Sequence, residues 1–325
     1  TDNIFMNGCN EALTLGDNVV IYNALNADSK ALEVIRAKLI GTTDAYITDI
    51  NAAHGFNIAD LVSAYRNIVA AAEDEYELVW SQDFNNNTMD YSVWSKNTTM
   101  SRKTNLVYGD NATVTGGSLK LNNKDTGEVD ENGNKIYSVS YGLSTVDTMS
   151  FKYGRLEMRA KVPFGAGAFP SLWLTSRNAL GNGVSPYGYD NEVDIFEVFG
   201  SKTGVDTMVT CMHKWYVDEA GNRIKDENDK SVECSNGTGK LSGNGSKIDE
   251  ADRSHKVTEA GKTAWHTIVF EWTEDTMTFT VDGESYDIKL SQLQDFDLTG
   301  YDTDSEGLFN QFMYLRLNNH MYTVG

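Results

Sequence analysis

The stretch YDNEVDIFEVFG, residues 189–200, combines the pattern of a buried β-strand with three acidic side chains. Valine, isoleucine and phenylalanine favour a buried strand, yet Glu192, Asp194 and Glu197 lie among them. Burying an acid is unfavourable unless the acid is paired or used chemically. Alternate residues of a regular strand share a face, so Glu192 and Asp194 would face one side and Glu197 the other.

A β-bulge would resolve this conflict of register. One extra residue at Ile195–Phe196 would return Glu197 to the face of Glu192 and Asp194, and bulges are common beside active sites. Two carboxylic acids on one face suit glycoside hydrolysis, in which one attacks the anomeric carbon and the other protonates the leaving oxygen. The alternatives are a calcium site or a solvated acidic face. The large apolar neighbours argue against a solvated face, and we predict a catalytic site.

From Tyr76 onward, the sequence pattern is typical of an all-β protein. Gly, Asn and Asp clusters separate short alternating runs, which are YELVWSQDF, SLKLNN, GRLEMRAKVP, SLWLTS, DTMVTCMHKWY, WHTIVFEWT, TMTFTVDGESY and FMYLRLNN. The segment VDGES between two such runs predicts a hairpin. Many short strands with almost no helix predict a β-sandwich or barrel over residues 76–325.

The N-terminal part has a different pattern. We predict a leader over residues 1–18 and a small α-helical module over residues 19–75. SKALEVIRAKLIG and FNIADLVSAYRNIVAAAE place apolar residues at helical spacing. No run of 18 apolar residues is present, so no transmembrane helix is expected. The first residues, TDNIFMNGCN, lack a signal-peptide pattern, so a secreted protein would be seen here in mature or trimmed form.

Charge and cysteine content restrict the classes of partner. The 325 residues carry a formal net charge of −20. A duplex binder needs a basic surface, so nucleic acid is not an expected partner, and a neutral substrate fits best. Of the three cysteines, Cys211 and Cys234 either form one disulfide, with Cys9 left over, or all three are thiols.

Several segments resemble glycoside hydrolase family 16. NEVDIFE is similar to the E-x-D-x-x-E signature of its laminarinase-like, bulged members. LVWSQDF resembles the opening strand of the family, and GLSTVDTMSFKYGRLEMRAKVPFGAGAFPSLWLTS resembles its central segment. AWHTIVFEWTEDTMTFTVDG resembles a late strand pair. The resemblance covers most of residues 76–325.

The resemblance implies a fold and an activity. The fold would be an all-β jelly-roll sandwich with a concave substrate cleft, here preceded by the small helical module. The activity would be that of a secreted or cell-surface, retaining endo-glycoside hydrolase cleaving β-1,3- or mixed β-1,3/1,4-glucan by double displacement. Glu192 would be the nucleophile, Glu197 the acid/base and Asp194 the assisting acid. The alternatives are a galactan hydrolase of the agar or carrageenan type and a non-catalytic β-glucan-binding protein.

Substrate-binding residues are predicted from two sources. Trp173, His213 and Asn105 match cleft positions of the family. Aromatic rings stack on the apolar faces of sugars, and this chemistry adds Tyr187, Tyr189 and Trp215 to the candidates. For any one tryptophan in a sandwich, packing in the core is the competing interpretation.

The chain departs from the family in several places, including Asn191, where a glycine is usual before the first glutamate, and Tyr187 and Tyr189, where a tryptophan is often found. An arginine common in the cleft is Leu143 here. The chain also ends at LNNHMYTVG, without the last strand that normally pairs near the start of the domain. An absent strand would leave an unpaired sheet edge. Catalysis requires no cofactor; a structural calcium is compatible with the family, but no residues are assigned to it.

Residues within the helical module resemble a degenerate dockerin. DINAAHGFNIADLVSAYRNI has Asp49, Asn51, Asn57 and Asp60 at ligand positions of a calcium loop, but Ala53 replaces a carboxylate. Calcium binding needs several oxygen ligands. The module is therefore either a docking unit for a cohesin-type scaffold or a structural appendage.

Overall fold

The computed structural model of the chain describes residues 13–24, 76–98, 106–179, 188–200, 205–235, 254–290 and 308–321. These residues form an all-β protein, in which the only helical element described is a short 3₁₀ turn at Gly261–Thr263. No helix in this part of the chain has the length and apolar character needed to span a membrane. The strands are β1 Leu13–Ala24, β2 Tyr76–Gln82, β3 Ser95–Asn97, β4 Leu106–Gly109, β5 Ala112–Thr115, β6 Ser118–Leu121, β7 Lys124–Val129, β8 Lys135–Ser140, β9 Gly142–Ser144, β10 Gly154–Lys161, β11 Ala168–Thr175, β12 Tyr189–Glu197, β13 Thr207–Tyr216, β14 Glu233–Ser235, β15 Ser254–Lys256, β16 His266–Trp272, β17 Thr276–Val281, β18 Glu284–Lys289 and β19 Tyr314–Met321.

Two eight-stranded sheets form the sandwich. Sheet A has the order β18-β17-β16-β10-β1-β6-β5, with β2 also paired to β1. Sheet B has the order β14-β13-β12-β11-β19-β9-β3, with β15 also paired to β13. A smaller three-stranded sheet has the order β4-β8-β7. The predicted β-sandwich is confirmed.

One hydrophobic core joins the two large sheets. Sheet A contributes Leu156 and Phe270, and sheet B contributes Leu172, Val193 and Leu317, all at most 2% exposed. In β17 every second residue is buried, as expected for a strand with one face on the core. Sheet B also packs one face on this core, so its other face can carry the polar side chains of a site.

The predicted VDGES hairpin connects β17 and β18. Asp282 and Gly283 have φ angles of 52° and 86°. Left-handed conformations at both central residues characterise the two-residue turns that suit twisted hairpins.

The structure corrects the interpretation of the N-terminal segment. Residues 13–24 form β1 in the sandwich, so the prediction of a leader ending at residue 18 and a helical module starting at residue 19 is wrong for these residues. The run VVIY consists of β-branched and aromatic residues, which favour strands over helices. The rest of the predicted module, residues 25–75, lies outside the described residues, as do all the candidate dockerin ligands.

Strand β1 also occupies an edge that we expected to be open. It pairs antiparallel with β10, β2 and β6. The first strand of the predicted catalytic domain, β2, thus has a neighbour supplied by an upstream segment. Next to β2, the neighbouring position in the sheet is thus filled by β1.

Candidate active site

A β-bulge in β12 brings the three acids together. Asp194 pairs with Cys211 and Glu197 with Val209, and the register of β12 and β13 shifts between these pairs. On the other side, the register against β11 shifts over the same residues. The bulge predicted from the spacing of the acids is therefore present in the strand.

Cross-strand partners share a face, which identifies the residues around the acids. Glu192 pairs with His213 and Asp194 with Cys211 across β13. On the other side, Asp194 pairs with Trp173 of β11. We call this side of sheet B, which carries Glu192, Asp194 and Glu197, the acid face. The intervening apolar residues of β12 pack into the core.

A chain of hydrogen bonds runs through His213. Its Nε2 lies 3.1 Å from Oδ2 of Asp194 and its Nδ1 lies 2.8 Å from Oε2 of Glu233. The same Nε2 is 3.9 Å from Oε1 of Glu192. The imidazole is thereby oriented between three carboxylates.

Burial changes the protonation of the acids. Burial raises the pKa of Asp194 to about 6, because the contact with His213 only partly offsets the loss of solvent. Burial, reinforced by the negative charge of Asp194, raises the pKa of Glu197 well above its usual range. Glu197 is 9% exposed. A raised pKa favours the protonated carboxyl, the state that a general acid needs.

For His213, the neighbouring groups outweigh burial in their effect on the pKa. Burial alone would lower its pKa, but the contacts with Cys211, Asp194 and Glu233 raise the pKa well above its ordinary value. These neighbours favour the protonated imidazole, in which both ring nitrogens are donors.

Glu192 is held from its other side by an arginine. Nη2 of Arg223 lies 3.4 Å from Oε2 of Glu192. The guanidinium also lies 3.9 Å over the ring of Trp215, which is stacked on His213 at 5.3 Å between ring centroids. Trp215, a candidate for stacking on sugar, is on the acid face; it is 8% exposed, with Arg223 over it.

Trp173 is also held on the acid face. The guanidinium of Arg316 lies 4.1 Å over its ring. With its amide oriented to satisfy both neighbours, Asn318 accepts a hydrogen bond from Nε1 of Trp173 at 2.9 Å. These contacts fix the plane of the indole beside Asp194.

Two predictions about side chains are wrong. Tyr189 lies on the core side, because regular alternation between residues 189 and 194 places it opposite the acids; it is 0% exposed, under the Nζ of Lys214. Leu143 belongs to the core cluster, so its side chain does not occupy a cleft position. Asn105 and Tyr187 lie outside the described residues.

Four residues near the acids escaped the sequence analysis, namely Cys211, Arg223, Glu233 and Arg316. Residues two apart on a strand share a face, so Cys211 could have been identified from the position of His213. The other three come from separate strands and a hairpin, and no local pattern connects them to the acids.

The structure shows no disulfide between Cys211 and Cys234, which are both buried thiols. A structural calcium, compatible with the family, stays without assigned ligands. Among the described residues, the only compact group of three His, Cys, Asp or Glu side chains contains a thiol and an imidazole, whereas calcium prefers oxygen ligands.

A β-sandwich that gathers two glutamates and an aspartate on one face of a sheet has the chemical groups of a glycoside hydrolase. The chain belongs to glycosyl hydrolases family 16, because the model of that family matches residues 72–301.

Similar proteins share parts of this chain. A segment is 28% identical over 145 residues to glucan endo-1,3-beta-glucosidase A1 of Niallia circulans, covering 39% of this chain and 20% of that protein. Another is 29% identical over 124 residues to the keratan-sulfate endo-1,4-beta-galactosidase of Sphingobacterium multivorum, covering 37% and 29%. The laminarinase catalytic domain from Thermotoga maritima MSB8 superposes with a TM-score of 0.49 at 24% identity, covering 75% of this chain and 87% of that one. The matches to the two curated relatives thus span less than a third of their length.

Proposed function

We propose that the protein is a retaining endo-glycoside hydrolase that cleaves β-1,3- or mixed β-1,3/1,4-glucan. The observation that carries this proposal is the bulge in β12, which places Glu197 on the face of Glu192 and Asp194. The similarity to a glucan endo-1,3-beta-glucosidase supports the choice of β-glucan.

The chemistry divides between the two glutamates. Glu197, protonated in its buried position, gives its proton to the glycosidic oxygen as that bond breaks. Glu192 attacks the anomeric carbon and forms a glycosyl ester. Glu197 then removes a proton from water, whose oxygen displaces Glu192 with overall retention.

Asp194 and His213 assist this cycle. The negative charge of Asp194 helps to keep Glu197 protonated before the first step. Asp194 is itself held by the imidazole of His213 at 3.1 Å. The side chain of Trp173, fixed beside Asp194, offers an aromatic surface for a sugar ring.

Reducing-sugar release from laminarin and barley β-glucan tests the proposal, with Glu192→Gln as the control. We expect release by the wild type and none by the variant. If wild type and variant are equally inert on every β-glucan and on agarose, the enzymatic function is wrong. Binding of glucan without any product would then favour the non-catalytic alternative.

The galactan alternative is supported by the charges near the acids. Arg223 contacts Glu192. The positive charges of Arg223 and Arg177 also oppose the rise in the pKa of the Asp190 carboxyl. Such cations suit a substrate with anionic groups, and one relative is a keratan-sulfate endo-galactosidase. Products from keratan sulfate and carrageenan, compared with those from laminarin, decide between the two substrates.

A polymeric substrate supports a secreted or cell-surface location, because a polysaccharide does not cross a membrane unaided. Activity found in washed cell lysate but not in medium or on the cell surface would contradict this location.

We also propose a cohesin-type scaffold as the partner of residues 25–75. A pull-down with cohesins, with and without calcium, tests that partner; no binding in either state leaves the segment a structural appendage.

A further inference from the structure

The acid face contains a compact set of three different donor atoms. Asp194 offers a carboxylate oxygen, Cys211 a sulfur and His213 a ring nitrogen, and these atoms all lie within 4.8 Å of one another. In the part of the chain that the structure describes, no other three His, Cys, Asp or Glu side chains meet this spacing. The proposed glycosidase chemistry makes no use of the thiol.

The pairing of strands holds the three side chains in place. Asp194 lies directly opposite Cys211, and His213 is two residues further along β13, on the same face. Both β12 and β13 are interior strands of sheet B. Asp194 is paired with strands on both sides, and Cys211 and His213 are held opposite β12 by the pairing of β13, so all three donors lie on strands and not on a loop.

The spacing suits a tetrahedral ion. Zinc binds sulfur at about 2.3 Å and nitrogen or oxygen at about 2.0–2.2 Å, so two tetrahedral ligands lie roughly 3.5 Å apart. Nε2 of His213 and Oδ2 of Asp194 are 3.1 Å apart, and all three donor atoms lie within 4.8 Å of one another. The ligand–ligand distance of a tetrahedral site falls between these two distances.

A second feature points in the same direction. Nδ1 of His213 lies 2.8 Å from a carboxylate oxygen of Glu233. A histidine that binds a metal through one nitrogen almost always donates the other N–H to a carboxylate, carbonyl or water, which fixes the ring. Glu233 provides this outer partner from β14.

We propose that Asp194, Cys211 and His213 form a site for a zinc-class divalent cation, with Zn²⁺ or the softer Cd²⁺ bound to one oxygen, one sulfur and one nitrogen. A thiolate and an imidazole select such ions over calcium and magnesium. On binding, the thiol proton of Cys211 and the Nε2 proton of His213 leave to solvent, and the ion takes their place. The fourth position of a three-ligand zinc site stays open to water.

Occupancy of this site would inhibit hydrolysis, a consequence that depends on the proposed function. The ion would neutralise the charge of Asp194, which helps to keep Glu197 protonated. It would also replace the contact between His213 and Asp194. The site would thus make the enzyme sensitive to zinc-class ions.

Titration of the chelator-treated, chemically reduced full chain with Co²⁺ tests binding without any assay of activity. We expect one Co²⁺ per chain with a thiolate-to-cobalt charge-transfer band, lost on adding Zn²⁺. The band should be absent in Cys211→Ser and present in the matched variants Cys234→Ser and Cys9→Ser. Glu233→Gln should weaken binding by about 10–100-fold.

Two results would overturn the site. One is the absence of the charge-transfer band in the wild type, which needs no variant to fold. The other is a band that persists in Cys211→Ser, or that disappears in Cys234→Ser or Cys9→Ser instead. Circular dichroism of each variant checks that it is folded.

A second arm tests inhibition. Zn²⁺ should stop glucan hydrolysis by the wild type, and chelator should restore it, whereas Cys211→Ser should respond at least 10-fold less relative to its own metal-free rate. Equal inhibition of both would contradict the inhibitory role. A wild type that is inert on all glycans but binds Co²⁺ through Cys211 would refute the proposed function alone.

Discussion

Asp194 and Glu197 are three residues apart on β12, yet their partners on β13, Cys211 and Val209, are only two residues apart. The extra residue of β12 lies between the acids. Because of it, two side chains that regular alternation would place on opposite faces of the sheet share one face. The candidate site therefore depends on a local departure from strand regularity.

Deletion of Ile195 should remove the bulge without separating the acids. The shortened run Glu-Val-Asp-Phe-Glu alternates regularly, so all three acids stay on the acid face. We expect a folded protein that is destabilised by about 2–4 kcal/mol, since a buried isoleucine is lost, and that retains measurable glucan hydrolysis. A thermal melt and a reducing-sugar assay check both outcomes.

Deletion of Val193 is the matched control. It also removes one buried apolar residue from β12, but it places Glu192 and Asp194 on opposite faces. This variant should be inactive and less stable than the Ile195 deletion, because an acid would then face the core. Equal activity of the two deletion variants would contradict the importance of the shared face.

Replacement of Glu197 by Gln should separate the two catalytic roles. Loss of a general acid lowers rates by about 10²–10⁴-fold, and we expect a loss of this size on β-glucan. The loss should be much smaller on aryl glycosides, whose leaving groups need no proton. Glu192→Gln should be inactive on both, and the reverse order of effects would exchange the proposed roles.

The pH profile provides a separate test of Glu197. Its pKa is raised, so the acid is protonated below that pKa and loses its proton as the pH rises through it. Wild-type kcat/KM on glucan should therefore fall on the alkaline side. In Glu197→Gln this alkaline fall should be absent; if the variant keeps the same fall, another group controls it.

Glu233→Gln should lower the pKa of His213, because one of the carboxylates that stabilise the imidazolium is removed. We expect the imidazole of the metal-free variant to titrate at lower pH by nitrogen NMR. Hydrolysis should fall by about 10-fold, since Asp194 is held less firmly. The exposed control Glu219→Gln should leave the titration of His213 and the rate of hydrolysis unchanged. A His213 titration that coincides in Glu233→Gln and wild type would contradict the positioning role.

Asp190 makes a prediction about stability. Burial, only partly opposed by Arg223 and Arg177, raises its pKa from 3.8 to about 6. The folded state therefore binds its proton more tightly than the unfolded state, and stability falls as pH rises from about 4 to about 6. Asp190→Asn should be more stable than the wild type at pH 7, by up to about 3 kcal/mol, with little difference at pH 3.5. Chemical denaturation at both pH values measures this, and an equal effect at both would contradict it.

Local pattern was sufficient to predict the four central strands of sheet B, β11, β12, β13 and β19. The run around Glu192 identified β12, and the chemical need to bring Glu197 back predicted the bulge. The core strands β10, β11, β13, β16, β17 and β19 were each indicated by alternating or apolar runs. The number of short strands predicted a sandwich or barrel, and the family resemblance implied the sandwich.

The errors have a common physical origin. Tyr189 was assigned to the sugar site because it is aromatic and near the acids, but the parity of its position points it to the core. The segment VVIY was assigned to a helix, because its strand partners β2 and β10 lie far away in sequence. Contacts such as Glu233–His213 and Arg223–Glu192 also join distant elements, which a single sequence does not reveal.

The most direct test of two glutamates acting on one anomeric carbon is the configuration of the first product. Proton NMR during early hydrolysis of β-glucan by the wild type distinguishes the two anomers before they equilibrate. The β-anomer should accumulate first, because two successive displacements restore the configuration. Initial accumulation of the α-anomer would show a single displacement and contradict the roles of Glu192 and Glu197.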